Sequence, residues 1–462
     1  MKIIRGYLMM NEENIKKVPK RLLTSLLASV SAGVVPRAGA PYIAIGRQDE
    51  ISALLSDLEL VNDGGGTMRF LIGRYGSGKS FLMQLMRGYA LERGFITADA
   101  DLSPERRLYG TGGSGVATYR ELMKNLASKS APEGGALPKI IARWISELQS
   151  NIVESGVSSD SDKFAHALNS KVLSELREIE FLVGGFDFAK VVSEYYLAYT
   201  TDDDAKKSAC LRWLRGEFAT KTEARRELGF NISVIIDDEN WYDFLKLWAA
   251  LVRRMGYRGL VVFIDECVNL YKITHRVSRE NNYEKILAMF NDTLQGRAPG
   301  LDIILGGTPQ FLEDPRRGLF GYEALRSRLC DSRFATDGFK NLIGPVIRLR
   351  RLSDDELFAL IVRVTNLHGQ NYSWTPRITR EEMVDFLKIC ISRAGADAMI
   401  TPREMLRDYM TVLNILMQNE AVSFSDIAGT VVTLKKDDDE KEPILSTPPR
   451  PSAKFDPNDI DI

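Results

Sequence analysis

Near the start of the chain Leu22, Leu23, Leu26, Leu27 and Val30 recur at three- and four-residue spacing, the apolar stripe of an amphipathic helix. Gly33 and Pro36 end that stripe. A strand-like run opens at "YIAIG", and "RQDEISALLSDLELV" returns to helical spacing before the loop "NDGGG". From there the period changes. "MRFLIG" is a short apolar run of buried-strand type and "RYGSGKS" a glycine-rich turn; "FLMQLMRGYALERG" is an amphipathic helix closed by Gly94, and "FITADADLS" is a second strand. Strand, helix and strand in this order predict a parallel sheet covered by helices on both faces.

Between about residues 103 and 245 the strand signal fades. "YRELMKNLAS", "LPKIIARWISELQSNIVES", "DSDKFAHALNSKVLSELREIEF", "FAKVVSEYYLAYT", "AKKSACLRWLRGEF" and "KTEARRELGF" all carry helical spacing, separated by Gly, Ser and Asp breaks. Sheet logic resumes with "GLVVFIDE", "LDIILGGTP" and "GPVIRLRRL". Three further helices follow in "SDDELFALIVRVTNLHG", "TREEMVDFLKICISRAG" and "TPREMLRDYMTVLNILMQN", the first two opened by Ser, Thr or acidic signals. The last stretch, "KKDDDEKEPILSTPPRPSAKFDPNDIDI", mixes a charge block with prolines and has no period, a disorder signature. The pattern divides the chain into an N-terminal helical segment (1–40), the first part of a sheet core (41–102), a helical insertion (103–245), the second part of the core (246–352), a C-terminal helical lid (353–434) and a disordered acidic, Pro-rich tail (435–462).

Composition narrows the class. The 462 residues are 44% hydrophobic and 27% charged, as in a globular protein of two to three domains, and no run approaches the length of a membrane span. Four well-spaced cysteines and three histidines suggest neither a disulfide framework nor a zinc site, and no signal-peptide core is present, so a cytoplasmic location and no membrane partner are expected. With 61 basic and 62 acidic residues there is no global field to draw the chain onto nucleic acid. Any such contact must be local or arise on assembly.

The chemistry concentrates in Gly73-Arg74-Tyr75-Gly76-Ser77-Gly78-Lys79-Ser80, which satisfies GxxxxGK[ST] between a strand and a helix. Glycines allow backbone N–H groups to turn around phosphate oxygens, Lys79 suits the β- and γ-phosphates of ATP, and Ser80 suits Mg2+. In "LVVFIDE", Asp265 stands where a strand-end carboxylate would hold the metal's hydration shell. Glu266, immediately after, is suited to polarise a water for attack on the γ-phosphate. Thr308, or Gln310 as the alternative, ends the next strand and could touch the γ-phosphate or that water, although a Thr-Pro turn that merely ends a strand has the same spelling. In "YEALRSRLCDSRF", Arg326, Arg328 or Arg333 could serve as an arginine finger in a neighbouring subunit's site, or simply occupy a solvated helix face. Arg403, at a helix start in "TPRE", could reach back to the γ-phosphate.

The order of glycine-rich loop, DE strand, Thr-ended strand, arginine-bearing helix and helical lid resembles the AAA+ ATPases, and implies a P-loop NTPase (AAA+/ASCE) three-layer α/β sandwich. "IGRQDE" resembles the Gly-Arg box of their origin-recognition-like branch, which implies that Gly46 and Arg47 lie by the adenine; Tyr75 and Phe81 join the nucleotide-binding stretch. More specifically, "FLIGRYGSGKSFL", "YRGLVVFIDECVNLYK" and "LDIILGGTPQFLEDPRRGLFGYEALRSRL" resemble the BREX-type ATP-binding proteins, the BrxD-like ATPases of bacterial phage defence, over roughly residues 20 to 415. The resemblance implies an ATPase that assembles as a homo-oligomer, acts on DNA and works with other defence proteins of helicase, methyltransferase or nuclease type. Origin-recognition-like proteins usually add a winged helix after the lid, whereas here the ordered-looking stretch after the third lid helix is only the short "VSFSDIAGTVVTL". DNA contacts would then fall to the ring pore or to basic stretches of the insertion such as "KTEARRE", which equally read as a solvated helix face.

Two functions of different class fit these residues. One is a hydrolysing motor or switch acting on DNA, the other a nucleotide-gated assembly scaffold with little hydrolysis. Glu266 and the arginine cluster favour the first.

Overall fold

The computed structural model describes residues 18–158, 162–330, 341–393 and 401–429. Five strands, β1 (Thr67–Ile72), β2 (Ile96–Asp101), β3 (Leu260–Asp265), β4 (Leu301–Gly307) and β5 (Val346–Arg348), form one sheet in the order β2-β3-β4-β1-β5. Every pairing is parallel. The central strands β3 and β4 are buried along their whole length, which is why their sequences are nearly unbroken apolar runs.

Register then decides what meets at the sheet's C-terminal edge. Asp101 pairs with Asp265, and Ile72 with Gly307. The glycine-rich loop, both strand-end carboxylates and Thr308 therefore leave the sheet side by side.

Alternation across the pleat separates two cores. Leu260, Val262 and Ile264 face one side, packed with Ile303, Leu305 and helices Ser114–Lys124, Trp241–Arg254 and Arg276–Leu294. Val261 and Phe263 face the other, against helices Gln48–Asn62 and Lys79–Glu92. Among the described residues seven α-helices run between β2 and β3, six of them starting between Ser114 and Lys221. A short addition was not visible in the helical spacing: Ala127 exchanges both backbone hydrogen bonds with Thr97 (3.0 and 2.8 Å), extending the β2 edge by one antiparallel bridge.

A third core joins distant parts of the chain. Leu23, Leu26, Leu27 and Val30 of the helix Lys20–Ser31 pack with Ile361, Val364, Leu406, Tyr409 and Leu413 from the helices Asp354–Tyr372 and Pro402–Gln418. Thr24 Oγ1 donates to Asn371 Oδ1 at 2.7 Å, across 347 positions of sequence. Both C-terminal helices open on capping boxes, Ser353 with Glu356 and Thr401 with Glu404, in which side chains satisfy the otherwise unpaired N–H groups of the first turn.

One expected strand is absent. The run "YIAIG" begins inside a 3-10 turn, Ala40–Ile43, set by Gly39 at φ 79 and Pro41 in the first turn, so this segment buries Ala40 and Ile43 without joining the sheet. The tail at 435–462 and Arg333 lie outside the described residues. In "KTEARRE", Arg225 donates twice to the Ile232 carbonyl and Glu223 pairs with Arg212. Those two side chains are taken up within the fold.

Candidate nucleotide site

β1 ends at Ile72 and the chain enters the loop Gly73–Gly78 before the helix Lys79–Glu92. Gly78 stands at φ 89 and a Cβ there would meet no atom within 4 Å. Its requirement is the left-handed backbone that turns successive N–H groups toward the helix N-terminus. At Gly73 and Gly76 the limit is space: added Cβ atoms would lie 2.2 Å from Ser77 Oγ and 2.4 Å from Thr401 Cγ2.

The Lys79 ammonium donates to the carbonyls of Gly73 (2.9 Å) and Arg74 (3.3 Å). Partial burial lowers its pKa, against the opposing pull of Asp265 and Glu266. Ser80 Oγ donates to Asp265 Oδ2 at 2.6 Å. Asp265 Oδ1 in turn accepts from the Glu266 N–H at 2.8 Å.

Asp265 fits beside β4 only because Gly306 has no side chain. A Cβ at Gly306 would stand 2.3 Å from Asp265 Oδ1. Glu266 itself takes φ 58, the left-handed region that a non-glycine residue enters at a cost. Its side chain is exposed and lines the cleft above the loop.

That cleft brings together most of the sequence-predicted residues: Arg47, Tyr75, Gly76, Ser77, Gly78, Lys79, Ser80, Phe81, Glu266 and Arg403 all line it. Arg403 makes no side-chain hydrogen bond or ion pair among the described residues, and its side chain is exposed. Tyr75 is 79% exposed at the rim. Phe81 packs between the sheet-side core and the C-terminal helical core. An apolar lining completes the cleft, formed among others by Val30, Val34, Pro36, Ile43, Leu360 and Leu406. It suits an uncharged planar base, as the loop suits phosphates.

Arg47 is 4% exposed and does more than flank the cleft. Its guanidinium donates to the Ser77 carbonyl (2.8 Å), the Arg350 carbonyl (2.5 Å) and Glu50 (3.4 Å). Burial lowers its pKa, with Glu50 acting in the opposite direction. Gly46 does not line the cleft: a Cβ there would lie 2.3 Å from Glu356 Oε1. Glu356 is held at a pKa of about 2, first by its paired hydrogen bonds to Arg350.

Thr308 stands in an adjoining cavity with Arg74, Tyr75 and Gln310. Its hydroxyl accepts from the Phe311 N–H at 3.3 Å, capping the short helix Pro309–Glu313. Arg326 and Arg328 lie on the helix Glu323–Leu329, exposed and lining neither cavity; Arg328 donates to Asn291 Oδ1 at 3.0 Å. The structure thus leaves both arginines apart from their own subunit's cleft.

Sequence reading missed three contributors. Asp101 adds a third carboxyl to the edge, its pKa raised by desolvation and then by Asp265 and Glu266. Strand register would have exposed it. Gly306 could have been found as the first glycine of a pair ending a buried strand. Residues 30–36 carried no signal for the cleft, because their place depends on packing against helices centred more than three hundred positions away.

Among the described residues no group of three or more His, Cys, Asp or Glu side chains could hold a metal. Ser80 and Asp265 offer one hydroxyl and one carboxylate, the partial set that suits Mg2+, which keeps several waters and takes phosphate oxygens.

A parallel five-stranded α/β sheet, with a GxxxxGKS loop at its C-terminal edge opening into a largely apolar cleft, defines a nucleotide-binding protein consistent with the P-loop NTPase class. Residues 18–431 match the family model of the BREX system ATP-binding proteins BrxC/D. The chain belongs to that family, which implies ATP binding in a phage-defence system. Comparison with curated proteins finds no match. No helix among the described residues is long and apolar enough to cross a membrane.

Proposed function

We propose that this protein is an oligomeric AAA+ ATPase that hydrolyses ATP and acts on DNA together with other BREX components. The observation that carries the reading is the sharing of one cleft by Lys79, Ser80 and Glu266, with Asp265 locked to Ser80 at 2.6 Å one residue before Glu266. A carboxylate in that position is the feature a hydrolysing site needs and a binding-only site does not.

In this reading Lys79 leaves the Gly73 and Arg74 carbonyls for the β- and γ-phosphates, while Ser80 and Asp265 hold Mg2+. Mg2+, when bound, neutralises phosphate charge. Glu266 orients and polarises the attacking water, Thr308 contacts the water or γ-phosphate, and Arg403 reaches the γ-phosphate from the C-terminal helices. The position of β4 between β1 and β3 supports the Thr308 role, since its end lies between loop and carboxylates. Arg328 or Arg326, set apart from their own cleft, would act in a neighbour's. Residues 353–434 serve as the lid and 103–245 as an inserted helical block.

The test is single-site. Glu266→Gln is expected to lower phosphate release by about a hundredfold or more while nucleotide affinity persists, and Lys79→Ala to abolish binding. Unchanged turnover in Glu266→Gln, with assembly lost in Lys79→Ala, would instead support the nucleotide-gated scaffold.

A further inference from the structure

The "DPRRGL" stretch after β4 has no role in the site as described, yet its side chains join two catalytic segments. After Glu266 the chain continues through Cys267, whose N–H donates to the Gly306 carbonyl (3.0 Å), and the one-turn helix Val268–Tyr271. After Thr308 it continues through the helix Pro309–Glu313 to Asp314. Arg317 bridges the two. Its guanidinium donates to the carbonyls of Tyr271 (3.0 Å) and Ile273 (3.3 Å), and lies over the Tyr271 ring at 5.2 Å.

Asp314 completes the clamp. One carboxylate oxygen accepts from the N–H groups of Arg316 (2.8 Å) and Arg317 (2.9 Å), and the other from the Tyr271 hydroxyl (3.2 Å). The Arg317 carbonyl accepts from Tyr283 OH at 2.6 Å. Gly318 has no room for a side chain: a Cβ there would lie 2.8 Å from the Asp314 N, the Asp314 O and the Gln310 O. Glu266, in its left-handed backbone, is held on the strand side by its N–H, which donates to Asp265 Oδ1 (2.8 Å), and on the downstream side by its carbonyl, which accepts from the Asn269 N–H (2.9 Å) in the same segment that Arg317 grips.

We infer that Arg317 is a positioning residue: with Asp314 it fixes the segment that follows Glu266 to the segment that follows Thr308, and so sets the general base against the end of β4. The inference rests on the hydrolysis reading above. Arg317 touches neither nucleotide nor water in this role. Both carbonyls are met by one terminal nitrogen, Nη2, while the guanidinium lies over the Tyr271 ring, a combination of donor and stacked plane that an ammonium reproduces less well.

The experiment uses the full chain, with nucleotide affinity and steady-state turnover measured for Arg317→Lys, Tyr271→Phe and the exposed control Arg316→Ala, each alone and combined with Glu266→Gln. Arg317→Lys is expected to lower kcat at least about tenfold with KM for ATP within about twofold, and Tyr271→Phe to lower it less. Arg316→Ala should be unchanged. The deciding readout is the cycle with Glu266→Gln: a residue that acts through Glu266 costs nothing further once that carboxylate is gone, whereas a merely structural one costs the same in both backgrounds. Loss of turnover in Glu266→Gln alone tests hydrolysis independently. Given that loss, additive effects, or wild-type kcat in Arg317→Lys, overturn the role assigned to Arg317.

Discussion

Gly306 carries a heavy demand for a single residue, because it yields its space to the Asp265 carboxylate proposed to hold Mg2+. Gly306→Ala would push the Asp265 carboxylate off Ser80, since the new Cβ and Oδ1 cannot share 2.3 Å. Turnover should fall by about a hundredfold, the scale of losing one preorganised electrostatic group, while nucleotide still binds without Mg2+. Phosphate release and a fluorescent-nucleotide titration check the two halves separately. At this scale the sequence was informative wherever chemistry is written into adjacent residues, as in Gly73–Ser80 and Asp265-Glu266. It was silent where function depends on contact at a distance. Nothing in "IGRQDE" says that the Arg47 guanidinium carries the Ser77 carbonyl, or that Gly46 is fitted against Glu356 while Ile45 and Arg47 on either side of it line the cleft.

Among the elements, buried strands and long helices were legible because each repeats one period over many residues. The 3-10 turn at Ala40–Ile43 was not, since a short apolar run reads alike in a strand or a buried turn, and Gly39 and Pro41 decide between them. The helix Asp354–Tyr372 holds a feature that periodicity hides. His368 is fully buried, with Nδ1 accepting from Trp374 Nε1 (2.9 Å) and Nε2 facing Asn414 Oδ1 (3.0 Å), so the network fixes the neutral Nε2–H tautomer. Burial lowers its pKa, partly opposed by Asn414. The unfolded chain therefore takes up a proton at higher pH than the folded one. The stabilisation is complete above the ordinary histidine value of about 6.5 and is lost as pH falls from there toward the lowered folded value. Thermal melts across that window should show a steeper fall for the wild type than for His368→Gln, which cannot titrate.

For the molecule as a whole, Arg326 and Arg328 bear on the proposed assembly of copies. Exposed on a helix that lines neither cavity, they suit a site completed between copies. Mixing two inactive variants tests this. Arg328→Ala keeps an intact cleft, and Lys79→Ala keeps an intact arginine, so the mixture is expected to recover part of wild-type turnover by pairing one with the other. If the mixture stays inactive while the same test with Arg326→Ala recovers turnover, the finger is Arg326. Recovery in neither mixture removes both from the role.

The shared core of Lys20–Ser31 with the helices Asp354–Tyr372 and Pro402–Gln418 also orders events during synthesis. A ribosome that has reached residue 352 has made every strand of the sheet and the entire phosphate loop. Yet Val30, Val34 and Pro36 still lack Leu360, Arg403 and Leu406, the opposite wall of the cleft. A partial chain can hold nucleotide by its phosphates alone. The stabilisation that a ligand gives by binding the native state is thus expected to be smaller for a chain that ends before the helix Pro402–Gln418 than for the full one, since the cleft lacks Arg403 and Leu406.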